Sequence, residues 1–257
     1  MNKTKLKTSL FIVSSFLIPA IMMFFIYLSQ GIYWNSDTSP LLGDGYHQYV
    51  IFDTTLRNIL HGTDSLFYSF QSGLGINFYA LSSYYLGSFF SPLVYFFNAQ
   101  SMPDAVYLIT LLKFGAIGLS TYISLHGMFS KIPRSLVLTL STSFALMSFA
   151  ISQIEIKTWL DVFILAPLIL YGFKKLIYNE GEILYFISLT SLFIQNYYFG
   201  FMMSIFLILW YLTQLSWDIK GIGKRFFHFV IVSILSVITS LVMLYPTFLV
   251  LRTNGES

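Results

Sequence analysis

The 257-residue chain has no cysteine, which excludes disulfides and thiolate-bound metals. It is also short of charge. Asp, Glu, Lys and Arg make up 10% of its residues, against roughly 25% in soluble globular domains. An ordinary soluble enzyme is excluded on that ground. The net charge of +3 is no nucleic-acid signal, because the basic residues fall in small groups between apolar runs, as loop anchors do. There is no P-loop, no zinc signature and no Ser-His-Asp spacing. The Gly-rich stretch Ser69–Asn77 is too short for a dinucleotide fingerprint and follows no strand. Internal repeats and low-complexity segments are absent as well.

What is present is oil. Hydrophobic residues make up 56% and aromatics 19%, with a mean hydropathy of +0.73. The runs do not alternate apolar with polar as barrel strands would. The fold class is therefore an all-α membrane protein, a multi-pass bundle forming a single transmembrane domain over 1–257. Seven runs are expected to cross a hydrocarbon core of ~30 Å: 8–29, 104–127, 135–152, 159–177, 183–200, 201–217 and 226–250. The split between the fifth and sixth rests on Gln195, Asn196, Tyr197, Tyr198 and Gly200 alone. The first run exceeds the ~7–15 residues of a signal-peptide core and no cleavage site follows it, so it is read as an uncleaved span.

Orientation comes from Lys and Arg. Seven spans put Lys3, Lys5, Lys7, Lys131, Arg134, Lys174, Lys175, Lys220, Lys224 and Arg225 on one side. That side is the cytoplasm, with the N-terminus in it. Asp37, Asp44, Asp53, Asp64, Asp104, Glu155, Asp161 and Glu256 then lie outside. Tyr79–Phe97 is apolar enough to cross, but crossing would invert every later loop. It also contains Gly87 and Pro92 and is rich in Ser and Tyr, so it is read as interfacial or re-entrant on the outer leaflet. The first outer loop becomes residues 30–103, a length usually tied to function. The chain stops soon after its last span, and the expectation is that it continues beyond Ser257.

Within the loop, Leu41–Asp53 reads LLGDGYHQYVIFD. A helix is expected from Gly45 to Leu60, stopped by Gly62. Asp44 has two readings that can hold together: a cap accepting an N–H bond, and a surface carboxylate acting as general base. Asp53 lies nine residues on, about 180° round a straight helix, and is expected to be solvated. His47 and Gln48 share the Asp44 face. Lys113 interrupts the second span about nine residues below its outer end, roughly 14 Å deep. A mid-span Lys is functional by default. It is a candidate for a lipid phosphate, with a pair to Asp161 or Glu155 as the ordinary alternative. Lys157, Trp159 and Asp161 lie at the outer mouth of the fourth span. Asn196 and Tyr197, beside Gln195 and Tyr198, lie at the outer end of the fifth.

Four segments carry a family resemblance: DGYHQYVIFD after the first span, FYSFQSGLGINFYALSSYYLGSFFSPL, WLDVFILAPLILYG, and QNYYFGFMMSIFLILWYL. In that order and spacing the chain resembles the N-terminal part of YfhO-type bacterial membrane proteins, of the GT-C glycosyltransferase class. The resemblance implies transfer of a sugar from a polyprenyl-phosphate donor to a teichoic-type surface polymer on the outer face of the cell membrane. It implies that Asp44 is the catalytic base, and it matches Asp161 to a second acid with no settled role; Asp53 is a further acid candidate. The donor phosphate is assigned to Lys113, His47 and Gln48, and the cavity to Tyr49, Trp159, Asn196 and Tyr197. The partners are then the donor lipid, the polymer acceptor and membrane lipids. No metal ligands are assigned, and a divalent metal is left open. The competing classes are a lipid or polysaccharide transporter and a non-catalytic partner in a glycosylation complex.

Overall fold

A computed structural model describes residues 3–70, 75–214 and 222–254. The expectations placed on the side chains of Lys3, Lys5 and Lys7, on Lys220, on Glu256 and the chain end, and on the middle of the Gly-rich turn lie outside the described residues.

The described residues form α-helices with no named strand; Ser69 and Ile76 make an isolated bridge. The long first helix is α1 (Lys3–Ser29). After it comes a long loop, holding α2 (Val50–Leu60) and α3 (Phe78–Tyr85). Then follow α4 (Met102–Met128), α5 (Arg134–Ala145), α6 (Ser148–Ser152), α7 (Lys157–Ile177), α8 (Ile183–Gln195), α9 (Tyr197–Gln214) and α10 (Ile222–Asn254). Five of the seven apolar runs fall on one of these helices or on the α5–α6 pair, and the described parts of the runs 183–200 and 201–217 are divided between α8 and α9. Among the described residues, Thr8–Ser29, Met102–Met128, Arg134–Ser152 and Gly223–Arg252 are long and apolar enough to cross a membrane, while α8 and α9 are apolar but shorter. The 21 residues of α7 include Lys157, Asp161, Lys174 and Lys175.

The split of the fifth and sixth runs lies earlier than expected. Asn196, with φ −157° and ψ 95°, is extended and ends α8, so α9 begins at Tyr197 instead of residue 201. The Tyr79–Phe97 run holds no crossing helix. It consists of the eight-residue α3 and a six-residue 3₁₀ turn, Ser91–Phe96. At 1.5 Å per residue α3 spans only about 12 Å.

The helices pack in a row, α1 on α4, α4 on α7, α7 on α8 and α8 on α10, with α5 against α4 and α1. Between apolar helices in lipid the hydrophobic effect supplies little, so close packing must do the work. Gly118 shows how: a Cβ there would strike the Ser15 carbonyl and Pro19 of α1. Two apolar cores result. One gathers Met23, Tyr27, Phe114, Ile117 and Leu160 from α1, α4 and α7. The other gathers Leu165, Ile169, Phe173, Leu189, Leu207 and Phe229 from α7 to α10. The loop has a small core of its own, Phe52, Phe78 and Leu86 between α2 and α3, and shares another with α4, Val94, Met102 and Ile109 under the 3₁₀ turn.

The seven-span reading, with the N-terminus inside, makes a labelling prediction. In a cysteine-free background, Cys at the exposed Asp37 should react with an impermeant thiol reagent in intact cells. Cys at the exposed Lys131 should react only after the membrane is opened. Labelling of position 131 in intact cells would place Lys131 outside and demand an extra crossing.

Candidate functional site

The DGYHQY segment folds as a turn followed by a five-residue π-helix, Gly45–Tyr49, in which the Val50 N–H donates to the Gly45 carbonyl. Single π-turns of this kind are rare and are frequently found at functional sites. Asp44 sits at its start, exposed to solvent. Its carboxylate caps no backbone N–H of the turn, so the capping role is not the one seen. Instead it accepts a 3.1 Å hydrogen bond from the Gln48 side-chain amide. His47 is also exposed, its ring edge-on to Tyr46.

Behind this turn the protein is dry and charged. Asp53, expected to be solvated, has no exposed surface and forms an ion pair with Lys157 through both carboxylate oxygens. The reason lies in the helix geometry. Asp53 is on the inner face of α2, opposite exposed Asp44, and the first residue of α7 is the cation within reach. Lys157 also stands 5.7 Å from the centre of the Tyr49 ring, a cation–π distance. Beside it the Tyr49 and Thr158 hydroxyls lie 2.9 Å apart. Burial raises the pKa of the Tyr49 phenol, and the Thr158 bond offsets only part of that.

A second pair lies deeper. Lys113 is fully buried and donates to Asp161 Oδ2 at 2.6 Å and to the Lys157 carbonyl at 2.8 Å. Of the readings weighed for Lys113, the structure places it in the ion pair with Asp161, away from any surface a lipid phosphate could reach. The Ser88 hydroxyl donates to Asp161 Oδ1 at 2.8 Å. Gly87 makes that contact possible, since a Cβ there would come within 2.6 Å of the Gln195 Cα. Lys157 and Asp161 are four apart on α7 and could have paired with each other. Each instead reaches across to another element, and the four charges sum to zero.

A cleft of about 330 Å³ opens beside the turn, lined by Ala80, Tyr84 and Tyr85 of the α3 helix, by Tyr197, and by Thr247 and Leu251 of α10 among others. Tyr85 joins cleft to turn, its ring edge-on to Tyr49 at 5.3 Å and tilted against Phe52 at 4.8 Å. Its phenol is held above the usual tyrosine range first by burial, then by Tyr84 and by the charge of Asp44. Asp44 is thus an electrostatic neighbour of the cleft.

The structure brings together Asp44, Gln48, Tyr49 and, through Tyr85 and Tyr84, Tyr197. It leaves the other candidates apart. Trp159 is clasped by Phe149 and Phe199. Asn196 is buried and accepts from the Phe199 N–H at the start of α9. Asp161 is consumed in its pair. Lys157, Thr158, Ser88 and Tyr85 stand at this site without being among the residues assigned to it from sequence; Lys157 alone is signalled there, as a charge at the mouth of the fourth span. Glu155 was also undervalued: its backbone packs on Gly45, and its carboxylate occupies the space a side chain at Gly43 would need. A larger apolar cavity of about 570 Å³ lies toward the Met128 end of α4, between α5, α7 and α9, not beneath Asp44. Among the described residues no three His, Asp or Glu side chains gather as a metal site would require.

The model of the family described as bacterial membrane protein YfhO covers residues 14–257. The chain belongs to this family. No curated protein and no solved structure matches it.

The pairing of Lys113 predicts how its loss will be felt. Lys113→Met leaves Asp161 charged in a dry site and should cost about 3–5 kcal/mol, whereas Lys113→Met with Asp161→Leu should recover most of it. Thermal melting of the purified protein in detergent reads both. A single variant as stable as the parent would mean that the pair contributes nothing.

Proposed function

We propose that this YfhO-family protein is a membrane glycosyltransferase of the GT-C type. It moves a sugar from a polyprenyl-phosphate donor to a polymer, teichoic-acid-like, on the outer face of the bacterial membrane. The observation that carries the reading is Asp44: an exposed carboxylate on a π-turn, oriented by Gln48, beside a cleft walled by three tyrosines. In the step proposed, Asp44 takes the proton of an acceptor hydroxyl. The hydroxyl oxygen bonds to the anomeric carbon. The bond from that carbon to the phosphate oxygen breaks, and its electron pair leaves with the polyprenyl phosphate. His47 and Gln48, beside Asp44, are the groups assigned to the donor phosphate, since Lys113 is committed to Asp161. Tyrosine rings suit the flat apolar face of a sugar, and the protonated Tyr85 can donate to its oxygens. A divalent ion at the phosphate fits the same reading.

A transporter would place its intramembrane polar groups along an open path. Here the mid-bundle charges are saturated by one another, which favours the enzyme over that alternative and leaves a non-catalytic partner role as the remaining contrast.

Asp44→Asn separates these. Asn keeps the side chain's shape and its bond to Gln48 but cannot act as base, and loss of a general base typically costs ~10²–10⁴-fold in rate. The expected result is a folded full-length protein whose cells lack the sugar on their surface polymer. Parent-level sugar in cells carrying Asp44→Asn would move the base elsewhere or remove the catalytic role.

A further inference from the structure

The six residues Gln153–Thr158, made of the α6–α7 connection and the first two residues of α7, touch the Asp44 segment at three points. Glu155 lies against Gly43 and Gly45, Lys157 holds Asp53, and Thr158 meets the Tyr49 hydroxyl. The points bracket Asp44: the first sits at the glycines on either side of it, the others at the end of the π-turn and one turn further into α2. The strap is fixed in its own right, because its Lys157 carbonyl accepts from Lys113, which is anchored to Asp161. By contrast, among the described residues the Asp44 carboxylate accepts a hydrogen bond only from Gln48 of its own turn. Nothing in that local bond sets where the carboxylate stands relative to the tyrosine cleft.

We infer that Lys157, with Thr158, is a positioning residue: the α6–α7 strap clamps the π-turn and so fixes the Asp44 carboxylate against the cleft. This rests on the reading of Asp44 as the base. Lys157 is itself buried and spent on Asp53, so it touches no substrate, and its effect must pass through the turn. A base displaced by about 1 Å can lose ~10²-fold in rate, so a clamp of this kind matters to the reaction even where it adds little to stability.

The test uses two readouts in the full-length protein, freed of any cysteine. A Cβ at Gly45 would lie 3.8 Å from the Glu155 Cα, so a Gly45→Cys/Glu155→Cys pair reports by disulfide formation whether turn and strap remain in register. Surface-polymer sugar in cells reports function. The perturbation is Asp53→Leu with Lys157→Met, which replaces a buried ion pair by apolar groups and should hold stability near the parent's. Thr158→Val, which keeps volume and removes the second tie, serves if that double variant does not fold. Lys157→Arg keeps the charge and serves as the rescue. The expected result is slower cross-linking and lost sugar at a parent-like melting temperature, both restored toward the parent by Arg. Parent-rate cross-linking in a folded variant overturns the clamp. Slackened cross-linking with parent-level sugar supports the clamp and overturns the reading of Asp44 as the base.

Discussion

Two buried ion pairs tie the loop helix α2 to α7 and α7 to α4: Asp53 with Lys157, and Asp161 with Lys113. They draw on three elements distant in sequence: α2, α4 and the start of α7. Removing such charges from water is costly, and each pair is tolerable only because its remaining hydrogen-bonding capacity is met. Here it is met. Asp161 has Ser88 on its other oxygen, Lys113 has a second acceptor in the Lys157 carbonyl, and Lys157 has the Tyr49 ring. The result is one connected polar knot with no net charge, set between two apolar cores.

The arrangement of the loop follows from that knot. α2 must lie with its Asp53 face inward, which turns Asp44 outward to solvent. The segment after α3 must dip to bring Ser88 to Asp161, and this places Tyr84 and Tyr85 beside the turn. α10 closes the cleft from the far side, with Thr247 bonded to Ser83 of α3 at 2.5 Å. Cleft and carboxylate thus come from segments up to 200 residues apart, yet they meet because both are referred to the same buried charges.

Much of this was legible in the sequence, for reasons that differ by level. Helix positions followed from long apolar runs bounded by basic residues, a signal of about 20 residues that local detail cannot hide. The broken character of Tyr79–Phe97 followed from Gly87 and Pro92. Family membership followed from four segments in order. What failed was side-chain environment. Asp53 looked solvated because its neighbours in sequence are mixed and its partner lies 104 residues away. Lys113 could be read as a phosphate ligand because depth alone cannot tell a cation that waits for a ligand from one already paired. Asp44 suggested a cap because caps are the common use of Asp before a helix, and the π-turn that withdraws its carboxylate from the backbone has no sequence signature.

The remaining question is why a membrane protein keeps four buried charges where apolar side chains could pack as stably. In lipid, apolar contacts between helices differ little from apolar contacts with the bilayer, so they fix register weakly. Charges differ. Sliding α7 against α4 by one turn, about 5.4 Å, would break the Lys113–Asp161 contact and leave both ions in oil, and a similar slip of α2 would do so to Asp53. Only one alignment of the three elements satisfies all four groups. The knot therefore fixes one register, and it does so directly behind the turn that presents Asp44.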